Sequence, residues 1–338
     1  MATKKPSKEL LNKVTQSTNL IRTIENDFSK STVNGKQLNL TVTEHKIICY
    51  LISKIKPSDT ELLPITFNYI EFCKTMQITP CKKIYERITE SVLNLYEKSF
   101  KVITPDDMTI VFQWLEGEKP LVIGRKKSVI LQLSKSLQPF LIGLLKNKGN
   151  FTAFELAYVI KFKKIYTFRL YEFLKPYAGF GYCHYNIENF KNKVIGNQYQ
   201  NIADIERYIL EPAIEEINTF SDINISYNIN KKYEDKGSHN PAETITFFIS
   251  QKSNEEKFEI WKTLGFNPED LKKLKIVDNK GQPIEPETSP KNDNEPPKTN
   301  THSNNSLRKP NIDIECDSED FEITENIEID FDENDLPF

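Results

Sequence analysis

The sequence predicts an α+β protein of two tandem winged helices, each a helix-turn-helix followed by a β-hairpin wing, with a disordered acidic C-terminal tail. Three observations carry this. Helical and alternating hydrophobic periodicities occur in the order helix, helix, helix, hairpin. The same order returns later in the chain, and a shift of 120 residues lays Glu86-Arg87 on Glu206-Arg207 and Phe100 on Phe220. Residues 278–338 then change composition altogether.

Residues 1–40 read as a polar arm with short apolar stretches (Leu10, Leu11, Leu20, Ile21, Ile24, Phe28). The first winged helix spans 41–150. Thr43 is read as the N-cap of a helix in which Ile47, Ile48, Leu51, Ile52 and Ile55 share a face, with Pro57 ending it. A second helix fits 68–78 and a third fits 82–100, striped by Ile84, Ile88, Val92, Leu95 and Phe100. Two strand-like runs flank a turn at Asp106-Asp107, and a basic loop (Arg125, Lys126, Lys127) precedes the alternating run 129–133.

The second winged helix spans 151–277. Helices are expected over 167–177, 185–196 and 202–220, then strands over 222–229 and 244–250 joined by a Lys- and Gly-rich loop. Pro212 would kink the third helix unless the helix restarts there. Phe258, Trp261 and Leu264 mark a helical extension packing on this domain. Residues 278–310 carry six prolines among polar residues and read as a disordered linker, because they bury too little apolar area to offset chain entropy.

Charge separates body from tail. The net charge of -3 divides into -12 over residues 278–338, with 17 acidic and 5 basic residues, and +9 over residues 1–277. A basic body with an acidic tail suits nucleic-acid binding by the former and protein contacts by the latter. Mean hydropathy is -0.52 and no long apolar run or secretory h-region occurs, so cytoplasmic residence is expected.

Enzyme classes find no support. The five cysteines are scattered without a C-x-x-C pair, the four histidines are separated, and no G-x-x-x-x-G-K-[ST] loop is present to cradle a nucleotide phosphate. The adjacent Cys183-His184 reads as structural. No catalytic set, cofactor or metal is expected.

DNA binding has a mechanical basis. The third helix of a helix-turn-helix enters the major groove with its N-terminal residues, which in the second domain places Gln198, Tyr199, Asn201, Asp204 and Arg207 near base edges. Arg reads guanine and Asn reads adenine in bidentate fashion. Lys191 and Lys193 on the preceding helix, Lys231, Lys232 and Lys236 in the wing, and Arg125, Lys126 and Lys127 in the first domain suit phosphate. Glu206, Glu211, Glu215 and Glu216 must then point away from DNA, and a solvated basic face on a protein-binding module is the alternative. The hairpin residues Ile110, Phe112, Trp114 and Leu115 read as an apolar edge through which the first domain forms a homodimer.

The run FTAFELAYVIKFKKIYTFRLYEFLKPYA (151–178), with its RLYEFLK core, resembles the signature of the Rep_3 (RepB-like) family of iteron-plasmid replication initiators. Further similarity lies in residues 40–59, 205–227 and 245–250. The resemblance implies two winged helices, the second reading repeated duplex sites (iterons) and the first supplying dimerisation and auxiliary DNA contacts. It implies that dimers repress the initiator's own gene, while monomers bind iterons, melt the origin with host help and bring in the host helicase. The chain departs from the family where Asp204 and Glu206 flank a single Arg207, and where Lys164-Ile165 replaces a small residue. Arg169 within the motif is expected to pair with a carboxylate or cap a helix.

The last residues, DFDENDLPF, resemble the acidic tip of bacterial single-stranded-DNA-binding proteins. That likeness implies that Asp335, Leu336, Pro337 and Phe338 dock on host replication proteins that capture such tips through the terminal carboxylate. A winged-helix transcriptional repressor without initiator activity is the alternative reading of the whole chain.

Overall fold

Polar caps and alternating apolar residues build the same unit twice. The computed structural model describes residues 6–25, 32–33, 36–37, 40–103, 109–119, 128–144, 151–196, 199, 201–231 and 242–267. The arm holds β1 (Lys13–Ser17), α1 (Thr18–Thr23), β2 (Ile24–Glu25), β3 (Thr32–Val33) and β4 (Lys36–Gln37), and it buries Leu10, Val14 and Leu20 in the core. Helix α2 (Val42–Ile52) follows. Its N-cap is Thr41, two residues before the expected Thr43. The T-x-x-E spacing lets Thr41 Oγ1 accept from the Glu44 amide at 3.3 Å and the Glu44 carboxylate accept from the Thr41 amide at 2.6 Å. Strand β5 (Ile65–Asn68) ends on Asn68, whose side chain accepts from the Ile70 and Glu71 amides and so starts α3 (Tyr69–Thr75).

Helix α4 (Lys82–Leu95) buries Ile88, Val92 and Leu95. It stops before the expected limit because Phe100 belongs to β6 (Ser99–Ile103), where it lies opposite Phe112 of β7 (Thr109–Gln113) with ring centroids 5.7 Å apart. Strands β8 (Leu115–Glu116) and β9 (Ser128–Leu133) and helix α5 (Gln138–Leu141) complete the unit, with sheet orders β2-β6-β7 and β5-β9-β8. The hairpin is not the apolar edge expected from sequence. Phe112, Trp114 and Leu115 are buried in their own chain, packed with Phe100 and Phe140, because residue alternation turns Val111 outward instead. Val111 and Ile130, exposed by 59% and 67%, are the outward apolar residues of these sheets among the described side chains. The Asp106-Asp107 turn, the Arg125–Lys127 loop and the Ile110 side chain lie outside the described residues.

The second unit repeats the plan. Strand β10 (Phe151–Glu155) leads to α6 (Ile165–Leu174), β11 (Tyr182–Asn186) and α7 (Ile187–Phe190), with Asn186 again ending a strand and capping the next helix. A π-helical turn over Lys191–Ile195 extends α7. The third helix begins as α8 (Ile202–Ile205), passes through a π turn over Glu206–Leu210 and continues as α9 (Glu211–Phe220). Pro212 sits in the first turn of α9, so the helix restarts there. Strands β12 (Ile223–Lys231) and β13 (Ala242–Gln251) form a sheet of order β11-β13-β12, and Ile223, Ile225, Ile245, Phe247 and Ile249 line its buried face. Helix α10 (Asn254–Thr263) closes the described chain, and Trp261 stacks on Tyr158 in the connection before α6. Among the described residues no helix is long and apolar enough to cross a membrane.

The two units share one seam, and α6 supplies most of it. Strand β1 pairs antiparallel with β10, so the arm closes against the start of the second half. Within the second unit, Tyr171 donates to Asp222 at 2.8 Å, and Lys175 pairs with the other oxygen of the same carboxylate. Glu172 faces the first unit, where His45 Nε2 lies 3.1 Å and Gln16 Nε2 3.3 Å from its Oε1. Lys46 donates to the Ile160 carbonyl at 2.6 Å, and burial lowers its pKa to about 8. Gln77 joins the C-terminal helix by donating to the Leu264 carbonyl at 2.7 Å. Arg169 is enclosed by protein, which lowers its pKa to about 10 against the opposing effect of Tyr166 and Glu172.

Tyr171→Phe deletes one donor to a buried carboxylate without changing shape. We expect a loss of about 1.5–3 kcal/mol in unfolding free energy, as hydrogen bonds to charged groups contribute. Urea denaturation followed by far-ultraviolet circular dichroism measures it, and an unchanged midpoint would show that Lys175 alone satisfies Asp222.

Candidate nucleic-acid interface

The exposed surface of the second unit's third helix is divided along its length. Asn201, Ala203, Asp204, Arg207 and Tyr208 are exposed in its first turns, and Glu211, Glu215 and Thr219 in its later ones. Asn201 caps the helix by accepting from the Ala203 amide at 3.1 Å. Its carbonyl oxygen is therefore committed to the backbone, whereas the two N–H groups of its amide face out. The Arg207 guanidinium lies 5.4 Å from the centroid of the Tyr208 ring, so the only basic side chain on this face rests against an aromatic one.

Two of the four glutamates are turned away, as DNA approach requires. Glu216 accepts from the Thr167 hydroxyl at 2.8 Å and the Lys163 amide at 3.1 Å, fixing α9 to the start of α6. Glu206 accepts from the Tyr227 hydroxyl at 3.3 Å. Burial and the nearby Glu206 carboxylate raise the Tyr227 pKa to about 12. Glu211 and Glu215 remain exposed, so an anionic partner fits only the N-terminal turns of this helix.

The expected phosphate contacts separate. Lys193 is exposed, with Nζ 5.7 Å from the Tyr185 ring centroid, and Lys231 is exposed at the end of β12. Lys191 differs from expectation: it is 7% exposed and its Nζ lies 3.2 Å from Glu188. Its side chain is covered by protein, and its ammonium pairs with the exposed Glu188 carboxylate. Tyr199 is half-buried against the core. Gln198, Lys232, Lys236, Arg125, Lys126, Lys127, Asp335, Leu336, Pro337 and Phe338 lie outside the described residues.

Some candidates escaped sequence reading. Tyr208, 50% exposed beside Arg207, carries no signal in the sequence that sets it apart from the other tyrosines. In the first unit, α4 exposes Lys82, Lys83 and Arg87 in the turns equivalent to those of Asn201–Tyr208. The 120-residue offset already aligned Arg87 with Arg207 and was the signal available. For metal chemistry, one group among the described residues has suitable donors, His45, Cys49 and Glu172, and it lies in the seam between the units.

Comparison with known proteins agrees with this construction. No curated protein is recognisably similar to the chain in sequence. A solved structure described as the Pi initiator protein in complex with iteron DNA is similar in fold, with 16% identity and a TM-score of 0.52, covering 72% of this chain and 99% of that one. A structure of domains 2 and 3 of RctB matches at 11% identity and a TM-score of 0.37, covering 64% of this chain and 84% of that one. Family models give the sharper result. Residues 14–175 match the WH1 domain of initiator replication proteins, and residues 185–247 match the WH2 domain of initiator Rep proteins. With both winged helices present and in order, the chain belongs to the initiator replication protein family.

Proposed function

We propose that this protein initiates plasmid DNA replication by binding directly repeated duplex sites at the origin, without catalytic chemistry of its own. One observation carries the reading: Arg87 and Arg207 occupy the same position of the third helix in WH1 and WH2, and both are exposed. The fold shared with an initiator held on iteron DNA supports it. In WH2 the N-terminal turns of the third helix enter the major groove. There Arg207 reads a guanine, Asn201 offers amide donors, and Tyr208 packs against sugar or base. Lys193 and Lys231 neutralise phosphates, and in WH1 Lys82, Lys83 and Arg87 add backbone contacts. The +9 charge of residues 1–277 supplies the non-specific attraction.

The regulatory part of the reading concerns oligomeric state. A homodimer formed through WH1, where Val111 and Ile130 are exposed apolar residues of the sheets, represses the initiator's own gene at an inverted repeat. Monomers occupy the direct repeats, help open the origin and recruit host replication proteins, the last with the aid of the C-terminal tip. All of this takes place in the bacterial cytoplasm.

Fluorescence anisotropy on repeats from the DNA beside the gene tests the interface. Arg207→Ala is expected to cost ~1–3 kcal/mol and to relax preference at one base pair. Lys231→Ala is expected to weaken specific and random duplexes alike and to lower the salt slope by about 1. Parental binding by both variants would remove the assigned helix and wing.

The tip makes a separate demand. Phe338→Ala, or one residue added after Phe338, is expected to abolish capture of host proteins that recognise the single-strand-binding tip while leaving iteron affinity unchanged. A pull-down with purified tip-binding proteins measures it. Equal capture by the variants would leave the acidic tail with an electrostatic role alone.

A further inference from the structure

Helix α2 places His45 and Cys49 one turn apart on the same face, and that face meets Glu172 of α6. One donor atom from each residue lies within 4.8 Å of the other two, and His45 Nε2 is already 3.1 Å from Glu172 Oε1. Donor atoms around a tetrahedral zinc ion stand roughly 3.3–3.7 Å apart, given bonds of about 2.0–2.3 Å. Small side-chain rotations therefore close the cluster around an ion. We propose that His45, Cys49 and Glu172 form a site for a divalent transition-metal ion, suited to zinc, that ties helix α2 to helix α6.

The donor chemistry favours this class of ion. Imidazole, thiolate and carboxylate together select zinc and similar borderline metals over magnesium or calcium, which take oxygen donors. Charge also balances. A divalent cation held by one thiolate, one carboxylate and a neutral imidazole has no net charge, as a buried site requires, and binding releases the Cys49 thiol proton to solvent. The surroundings hold the donors in place: Gln16 donates to the Glu172 carboxylate, and the Phe168 ring packs 4.6 Å from the His45 ring. An entry path exists, because the His45 and Glu172 side chains keep 10% and 14% of their exposure while Cys49 is buried. A fourth position is left for water. With ligands from α2 and α6, an ion here fixes these two helices to each other without touching any residue of the candidate nucleic-acid interface.

The test uses the full-length chain carrying Cys81→Ser and Cys316→Ser, which removes the exposed Cys81 and the tail cysteine as competing thiols. Cobalt(II) is titrated as a spectroscopic probe and then displaced by zinc. One equivalent of cobalt is expected to give a thiolate-to-metal charge-transfer band with the intense visible bands of tetrahedral geometry, and zinc to bleach them. Cys49→Ala removes the charge-transfer band. Glu172→Gln, which keeps the size and hydrogen-bonding reach of the side chain, weakens cobalt binding by at least ~10-fold. Zinc raises the thermal midpoint of the parent but not of the Glu172→Gln variant. Absence of the charge-transfer band, its persistence in Cys49→Ala, or unchanged cobalt affinity in Glu172→Gln overturns the proposal. If Cys49→Ala does not fold, the Glu172→Gln titration decides alone.

Discussion

The extensive burial of α6 is the constraint from which the rest of the structure follows. Phe168, Tyr171, Glu172 and Lys175 project from one side of this helix, and Leu170, Phe173, Leu174 and Tyr177 from the other. The second group belongs to the WH2 core, where Phe173 and Tyr177 meet Tyr185. In the first group Phe168 and Glu172 face α2 and the arm, whereas Tyr171 and Lys175 meet Asp222 of the second unit. Phe168 lies against His45 and Phe162, Tyr171 reaches Asp222, and Glu172 reaches His45 and Gln16. A helix so largely buried cannot leave a polar side chain without compensation, so the RLYEFLK run is a list of obligations to other segments. Its function is architectural, and Arg169 within it belongs to that architecture.

A seam made of hydrogen bonds differs from one made of apolar surface in what it specifies. Each bond contributes only ~1 kcal/mol net, but a wrong placement would leave buried groups unpaired at greater cost. Glu172 with His45 and Gln16, Lys46 with the Ile160 carbonyl, and Gln77 with the Leu264 carbonyl therefore fix position more than they add stability. The β1–β10 pair adds a directional ladder to the same joint. For the proposed binding of one duplex by Arg87 on one unit and Arg207 on the other, relative position is the quantity that matters.

Periodicity made most of this fold legible. The apolar stripe of α4 and the alternation of β12 and β13 announce themselves within a few residues of their observed limits. Strands β5 and β11 do not, because each is short and runs directly into a helix capped by its own last residue, Asn68 or Asn186. Nothing local reveals that Val14 pairs with Phe154, since the partner lies in the other half of the chain. The interface was legible as a set of cations and illegible in direction: Lys191 and Lys193 look alike in sequence, yet the first is covered by protein and pairs with Glu188 while the second is exposed. The same limit hid the His45, Cys49 and Glu172 cluster, since its third member joins only through the contact of α2 with α6.

The two third helices began from one plan and differ at the turn that carries the basic residue. Helix α4 is α-helical throughout, whereas in WH2 the Glu211 amide reaches back to the Glu206 carbonyl and a π turn results. Pro212 follows at once. It has no N–H to donate, so in a regular α-helix the carbonyl four residues earlier would lose its partner and clash with the ring. Widening the preceding turn removes that conflict, and the helix restarts with proline in its first turn, where the missing donor costs nothing. Widening also changes what the surface presents. Arg207 and Tyr208 are consecutive and both exposed, with the guanidinium over the ring, whereas in α4 exposed Arg87 is followed by buried Ile88. A π turn at a functional position is a recurrent device. Here its physical origin is a single proline, and its effect is to set an aromatic residue beside the arginine that WH1 presents alone.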